Sequence, residues 1–82
     1  MRYLIIGIVA TVLALSACSP LKRAQKKFER GEYQIAINYY ESLRKKKSFS
    51  GMANFYAAES YRLSNRIHES APYYRDALAA GI

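Results

Sequence analysis

The chain has 82 residues, a net charge of +7 and a single cysteine. This length suffices for one small domain with a modest core, and the lone cysteine excludes an internal disulfide. The basic balance favours an anionic neighbour, which could be a membrane surface, an acidic protein or nucleic acid.

The first predicted element is an apolar segment behind a short positive start. Arg2 precedes an apolar run over residues 4–15, which only Gly7 and Thr11 interrupt. As a helix this run would be about 18 Å long, whereas the hydrocarbon core of a membrane is roughly 30 Å thick. The length predicts an export signal peptide over residues 1–17, with an uncleaved membrane anchor as the alternative.

The residues that follow the apolar run are Leu15-Ser16-Ala17-Cys18. This stretch resembles the lipobox of bacterial lipoproteins, in which small residues precede a cysteine whose thiol carries a diacylglyceryl group. The resemblance implies cleavage after Ala17 and covalent lipid, palmitate included, on Cys18. Because Ser19 is not an aspartate, the resemblance favours the periplasmic face of the outer membrane.

The mature region, residues 18–82, repeats itself at a fixed spacing. The matched pairs are Ala24 with Ala58, Gly31 with Asn65, Tyr33 with Ile67, Tyr40 with Tyr74, and Leu43 with Ala77. The spacing of these pairs, and the pattern Gly31-Glu32-Tyr33 followed by Ala36, Ile37 and Tyr40, resemble the tetratricopeptide repeat, whose period is about 34 residues. Glycine and asparagine tolerate the positive φ that the turn between two helices requires.

The apolar spacing predicts four helices in two hairpins, an all-α fold that the resemblance makes tetratricopeptide-like. The helices are predicted at residues 20–30, 32–46, 52–64 and 67–80, with repeat 1 over about 18–47 and repeat 2 over about 52–82. Ser50 is expected to cap the third helix, and Gly81 to end the fourth. Pro72 is expected to kink the fourth helix or shift its start. In that helix, the residues that match the repeat pattern are Ile67, Ala71, Tyr74, Ala77 and Leu78.

Arrays of this kind normally need about three repeats and a polar capping helix. The chain offers two repeats, so we expect that it is truncated, or that a partner covers its open end.

The ionisable residues do not suggest catalysis. The six acidic residues show neither the spacing of paired catalytic acids nor that of metal ligands, and His68 has no partner of suitable type nearby in the sequence. We therefore expect a protein that is not an enzyme, with no metal and no cofactor other than the lipid on Cys18.

Two surfaces are candidates for contact. A basic group close to Cys18 is predicted to face lipid headgroups, with a solvated helix face as the equal alternative; its members are Lys22, Arg23, Lys26 and Lys27. A second basic group, Arg44 with residues 45–47, is interpreted as a solvated face with favourable charge at a helix C-terminus. The resemblance implies a partner-binding groove, although ordinary packing is the alternative for its two phenylalanines; its members are Gln25, Phe28, Phe55, Glu59 and Arg62.

The function expected from these features is that of a lipid-anchored scaffold for protein–protein interactions at the outer membrane. The stretches 61–66 and 71–74 resemble N-terminal repeats of Bacteroidetes lipoproteins, some of which serve type IX secretion. One alternative is that the segment positions a downstream enzymatic or OmpA-like domain, which alone would contact peptidoglycan. Another is a lipoprotein of outer-membrane-protein assembly or pilus biogenesis. The expected partners are the membrane and other envelope proteins, whereas nucleic acid is not expected because the export signal removes the chain from the cytoplasm.

Overall fold

The computed structural model describes residues 20–82, and this part of the chain is entirely helical. Helix α1 covers residues 20–29, α2 covers Tyr33–Leu43, α3 covers Ser50–Leu63 and α4 covers Ile67–Ala79. The prediction of an all-α fold is confirmed for these residues, which contain no strand. The predicted signal peptide and Cys18 lie outside the described residues.

The turns between α1 and α2 and between α3 and α4 have the same geometry, one repeat period apart. Gly31 has φ +76° and Asn65 has φ +66°, so both lie in the left-handed region. In the first turn the backbone N–H of Glu32 donates to Lys27 O at 2.9 Å, and in the second the N–H of Arg66 donates to Tyr61 O at 2.8 Å. These are the long bonds of a Schellman motif, which satisfies the last carbonyls of a helix. Glycine and asparagine therefore adopt the positive φ in these two turns, as the sequence predicted.

The C-terminus of α4 uses the same motif. Gly81 has φ +96°, and the N–H of Ile82 donates to Ala77 O at 3.0 Å. Gly81 ends the helix as predicted. Pro72 lies exposed inside α4, which still begins at Ile67 and continues to Ala79.

Two predicted features between α2 and α3 are wrong. Helix α2 ends at Leu43 and not at residue 46, because the following lysines bring like charges together and no apolar side chain that could pack against the core. Ser50 is the first residue of α3 and not its cap. The capping position belongs to Phe49, which makes no side-chain cap bond but packs against the core.

Small residues allow the helices to approach closely. Ala24 of α1, Ala36 of α2, and Ala53 and Ala57 of α3 are completely buried. Among them lies Tyr40, whose ring stacks on that of Tyr56 with 5.7 Å between centroids. Tyr40 buries far more apolar surface than any one of these alanines, because an aromatic side chain is much larger.

Sequential helices run antiparallel, so the molecule has two ends. Phe49 and Leu43 share the core cluster with Leu21 near the start of α1, and the side chain of Ile82 lies against Gly51 at the start of α3. The end formed by residues 20–23, 44–53 and 79–82 is called the loop end. The opposite end, formed by the turns at 30–32 and 64–66, is called the turn end.

Candidate functional site

An open cleft between α1 and α3 holds Gln25, one of the five residues predicted to bind a partner. The cleft has a volume of about 290 Å³. Its lining combines cationic, acidic and apolar side chains, namely Leu21, Lys22, Gln25, Lys26, Glu29 and Met52. Such a lining can contact a peptide segment through apolar groups and through charge.

Three side chains form a polar cluster where α3 faces α4. Arg62 Nη2 donates to Glu59 Oε2 at 2.7 Å and Arg62 Nε donates to Tyr74 Oη at 3.3 Å, while Tyr74 Oη donates to Glu59 Oε1. The bond from Arg62 lowers the pKa of the Glu59 carboxyl below its usual value, although partial burial opposes the shift. The same bond raises the pKa of Arg62. Both groups therefore stay charged at neutral pH and hold each other in place, so two of the predicted groove residues form one fixed unit.

Phe55 lies beside this cluster, and Phe28 lies deeper. The Phe55 ring meets Tyr74 edge-on at 6.1 Å and Tyr56 at 5.3 Å. Phe28 packs edge-on against Tyr56 at 5.4 Å and against Tyr33 at 5.8 Å. The structure thus divides the predicted groove residues among the cleft, the polar cluster and the aromatic packing, and Phe28 takes part in packing.

A second polar cluster of the same kind connects α2 with α4, and the sequence analysis missed it. Arg44 Nη2 pairs with Asp76 Oδ2 at 2.8 Å and its Nη1 lies 3.4 Å from Glu41 Oε1. The guanidinium also lies 4.7 Å from the centroid of the Tyr73 ring, and Tyr73 Oη donates to Glu41. Burial, followed by the bond to Glu41, raises the pKa of Tyr73. The interpretation of Arg44 as part of a solvated basic face is therefore wrong, because its charge is used within the fold.

Several apolar side chains of the second hairpin are exposed. They form what we call the terminal face, which consists of Leu63, Ile67, Ala71 and Leu78. Ile67 is 61% exposed and Leu78 is 69% exposed, so these two residues of the repeat pattern do not pack in a core within the described chain. Ala71 is likewise exposed and Tyr74 is half-buried, whereas Ala77 is buried, at 2% exposure.

Two positions of α2 are more buried than the positions 34 residues later in α4. Ile37 is the repeat-equivalent of Ala71 and is 1% exposed, and Tyr40 is the repeat-equivalent of Tyr74 and is completely buried. The covering helices of the first hairpin are α3 and α4. Of the terminal-face residues, only Ala71 has a buried counterpart in the first hairpin; the counterparts of Leu63, Ile67 and Leu78 are exposed or half-buried.

Comparison with known protein families, with curated proteins and with solved structures found no match to this chain. Within residues 20–82, no helix is long and apolar enough to cross a membrane. In the same part of the chain, no three His, Cys, Asp or Glu side chains are grouped as metal ligands would be. His68 lies exposed on α4.

The basic residues predicted to face a membrane differ in their surroundings. Lys22, Arg23 and Lys26 are exposed on α1. Lys27 is half-buried, and its Nζ lies 3.3 Å from Glu32 Oε2 near the turn end. Lys27 thus forms a partly exposed ion pair at the first turn, and its contact with a membrane stays a prediction.

Proposed function

We propose that this chain is a lipid-anchored, tetratricopeptide-like scaffold that binds other envelope proteins. The lipid on Cys18 would hold the helices at the periplasmic face of the outer membrane. The helices would offer protein partners two contact surfaces, the terminal face and the cleft that holds Gln25.

One observation carries this proposal: three large apolar side chains of the second hairpin, Leu63, Ile67 and Leu78, are exposed. A repeat unit packs mainly on its neighbours, so an uncovered unit face with several large apolar side chains is suited to protein contact. The turns at Gly31 and Asn65 have the same positive φ and the same long backbone hydrogen bond, and they are separated by the period found in the sequence. This supports the tetratricopeptide-like interpretation.

Site-specific photocrosslinking in cells tests the scaffold. A photoreactive amino acid would replace Ile67 on the terminal face or Arg62 beside it, and Arg30 at the turn end would serve as the exposed control position. We expect discrete protein adducts from positions 67 and 62 and none from position 30. Leu78→Glu places a charge on the terminal face and should reduce the adducts more than tenfold, since burying an unpaired charge is costly.

Two results would oppose the scaffold. Adducts with lipid alone from positions 62 and 67 would contradict protein binding. Adducts only with downstream segments of the same polypeptide would favour the positioning role, in which these helices hold another domain at the membrane.

A further inference from the structure

Five exposed cationic side chains converge on the loop end. Two come from the start of α1 and three from the loop that connects α2 with α3; they are Lys22, Arg23, Lys45, Lys46 and Lys47. They are far apart in the sequence, and the antiparallel hairpin of α1 and α2 brings them to one end of the molecule. None of them takes part in an ion pair within residues 20–82.

The fold presents the three loop lysines to solvent. Helix α2 ends at Leu43, which is buried, and Phe49 returns the chain to the core after the loop. Between them the N–H of Lys46 donates to Leu43 O and the N–H of Phe49 donates to Lys46 O, both at 3.0 Å. The two turns anchor the loop at both ends, and the side chains at 45–47 point away from the core because they are exposed.

Acidic side chains do not balance this charge. The acids closest to the loop end, Glu41 and Asp76, are both engaged by Arg44. Glu32 and Glu69 are held near the turn end by Lys27 and Arg66. The loop end is therefore cationic, whereas the turn end carries both signs.

Stabilisation of the helix does not explain the three loop lysines. A cation stabilises a helix C-terminus when it lies within the last turn, because the dipole effect falls off beyond it. The last turn of α2 contains no basic residue, and the three lysines follow its end. Adjacent like charges in one short loop repel each other, so the fold gains nothing from them.

We propose that the loop end is a docking surface for anionic lipid headgroups, in which the lysines at 45–47 act together with Lys22 and Arg23. This orientation rests on the proposed lipid anchor, since Cys18 stands two residues before the start of the described part of α1. Anchor and cationic end would then meet the bilayer together, and the turn end would point into the periplasm. The lysines at 26 and 27 lie further along α1 and are not part of the docking surface.

Vesicle partitioning tests the docking surface. Full-length protein would be mixed with vesicles of anionic or purely zwitterionic phospholipid, and the variant Lys45→Gln/Lys46→Gln/Lys47→Gln would be compared with the unaltered chain. Each lysine near an anionic surface contributes roughly fivefold to partitioning, so the variant should lose about 100-fold on anionic vesicles. On zwitterionic vesicles the two proteins should partition equally. This comparison controls for binding through the apolar segment at residues 4–15, which both proteins contain.

The matched control removes the same net charge elsewhere. Lys26→Gln/Arg30→Gln/Arg75→Gln alters three exposed, unpaired cations outside the loop. Lys26 and Arg75 lie along α1 and α4, and Arg30 lies at the turn end, so all three are outside the docking surface. The control should therefore lose less than the loop variant by at least tenfold. Equal losses in both variants would show a net-charge effect and overturn the proposal.

The proposals of a docking surface and of a lipid anchor can be refuted independently of each other. If the chain incorporates palmitate normally but the variant at residues 45–47 partitions as the unaltered chain does, only the docking-surface proposal is refuted. The loop lysines could instead bind a carboxylate-rich peptide and make no difference to partitioning on anionic vesicles. That result would indicate an acidic protein as the partner of the loop end and would also overturn the proposal.

Discussion

Tyr40 is the largest side chain at the centre of the core, and its hydroxyl group is buried without a hydrogen-bond partner in the described part of the chain. Burial also raises the pKa of Tyr40 well above its usual value. Tyr40→Phe removes only the hydroxyl and keeps the ring that stacks on Tyr56.

The expected gain follows from the cost of an unsatisfied buried hydroxyl, which is about 1–3 kcal/mol. The small space left behind offsets part of it, so we expect the free energy of unfolding to rise by about 1 kcal/mol. For a domain of this size that change raises the melting temperature by about 4–8 °C. Urea and thermal unfolding, followed by far-ultraviolet circular dichroism, measure both quantities.

Tyr73→Phe is the matched comparison, because it also removes a tyrosine hydroxyl group, but one that has a hydrogen-bond partner. Tyr73 Oη donates to Glu41 and its ring contacts the Arg44 guanidinium. Loss of a hydrogen bond to a charged acceptor should lower the free energy of unfolding by about 1.5 kcal/mol. A loss of stability in Tyr40→Phe as large as that in Tyr73→Phe would refute the reasoning, since it would mean that the buried hydroxyl is satisfied.

Two further predictions concern the first turn and alkaline pH. Gly31→Ala should cost about 1 kcal/mol of unfolding free energy because φ is +76° there, while nothing within 4 Å blocks the new methyl group. Gly31→Asn should cost less, as Asn65 occupies the equivalent position; equal costs in urea unfolding would argue against the left-handed turn. Burial raises the pKa of Tyr40, Tyr73 and Tyr74 in the fold, so their contribution to stability is complete below about pH 10 and is lost as the pH rises further. Unfolding at increasing pH, read from tyrosinate absorbance, should show this loss, and it should be smaller in Tyr40→Phe; an identical alkaline profile in both proteins would contradict it.

The local chemistry of the chain was enough to predict four helices and the turns at Gly31 and Asn65. Gly31 and Asn65 were identifiable because few residues tolerate a positive φ. The burial of Tyr40 and Ala36 followed from their spacing on one helix face. The tetratricopeptide-like character itself and the roles of the groove residues stay predictions.

Features that depend on residues distant in the sequence could not be predicted. Arg44 pairs with Asp76 on another helix, and no local pattern distinguishes it from the three lysines that follow it. The exposure of Ile67 and Leu78 depends on which neighbouring helices are present, whereas their spacing is that of buried residues. The start of α3 was misplaced for a similar reason, since the packing of Phe49 decides it rather than the capping preference of Ser50.

The lipid on Cys18 is the claim on which the envelope function depends most directly. Mass spectrometry of the protein purified from cell membranes would read its N-terminal residue and its modification. We predict a chain that begins at Cys18 and carries a thioether-linked diacylglyceryl group, and we predict that Cys18→Ala remains unprocessed and incorporates no labelled palmitate. A chain that retains Met1 and an unmodified Cys18 thiol would contradict the account.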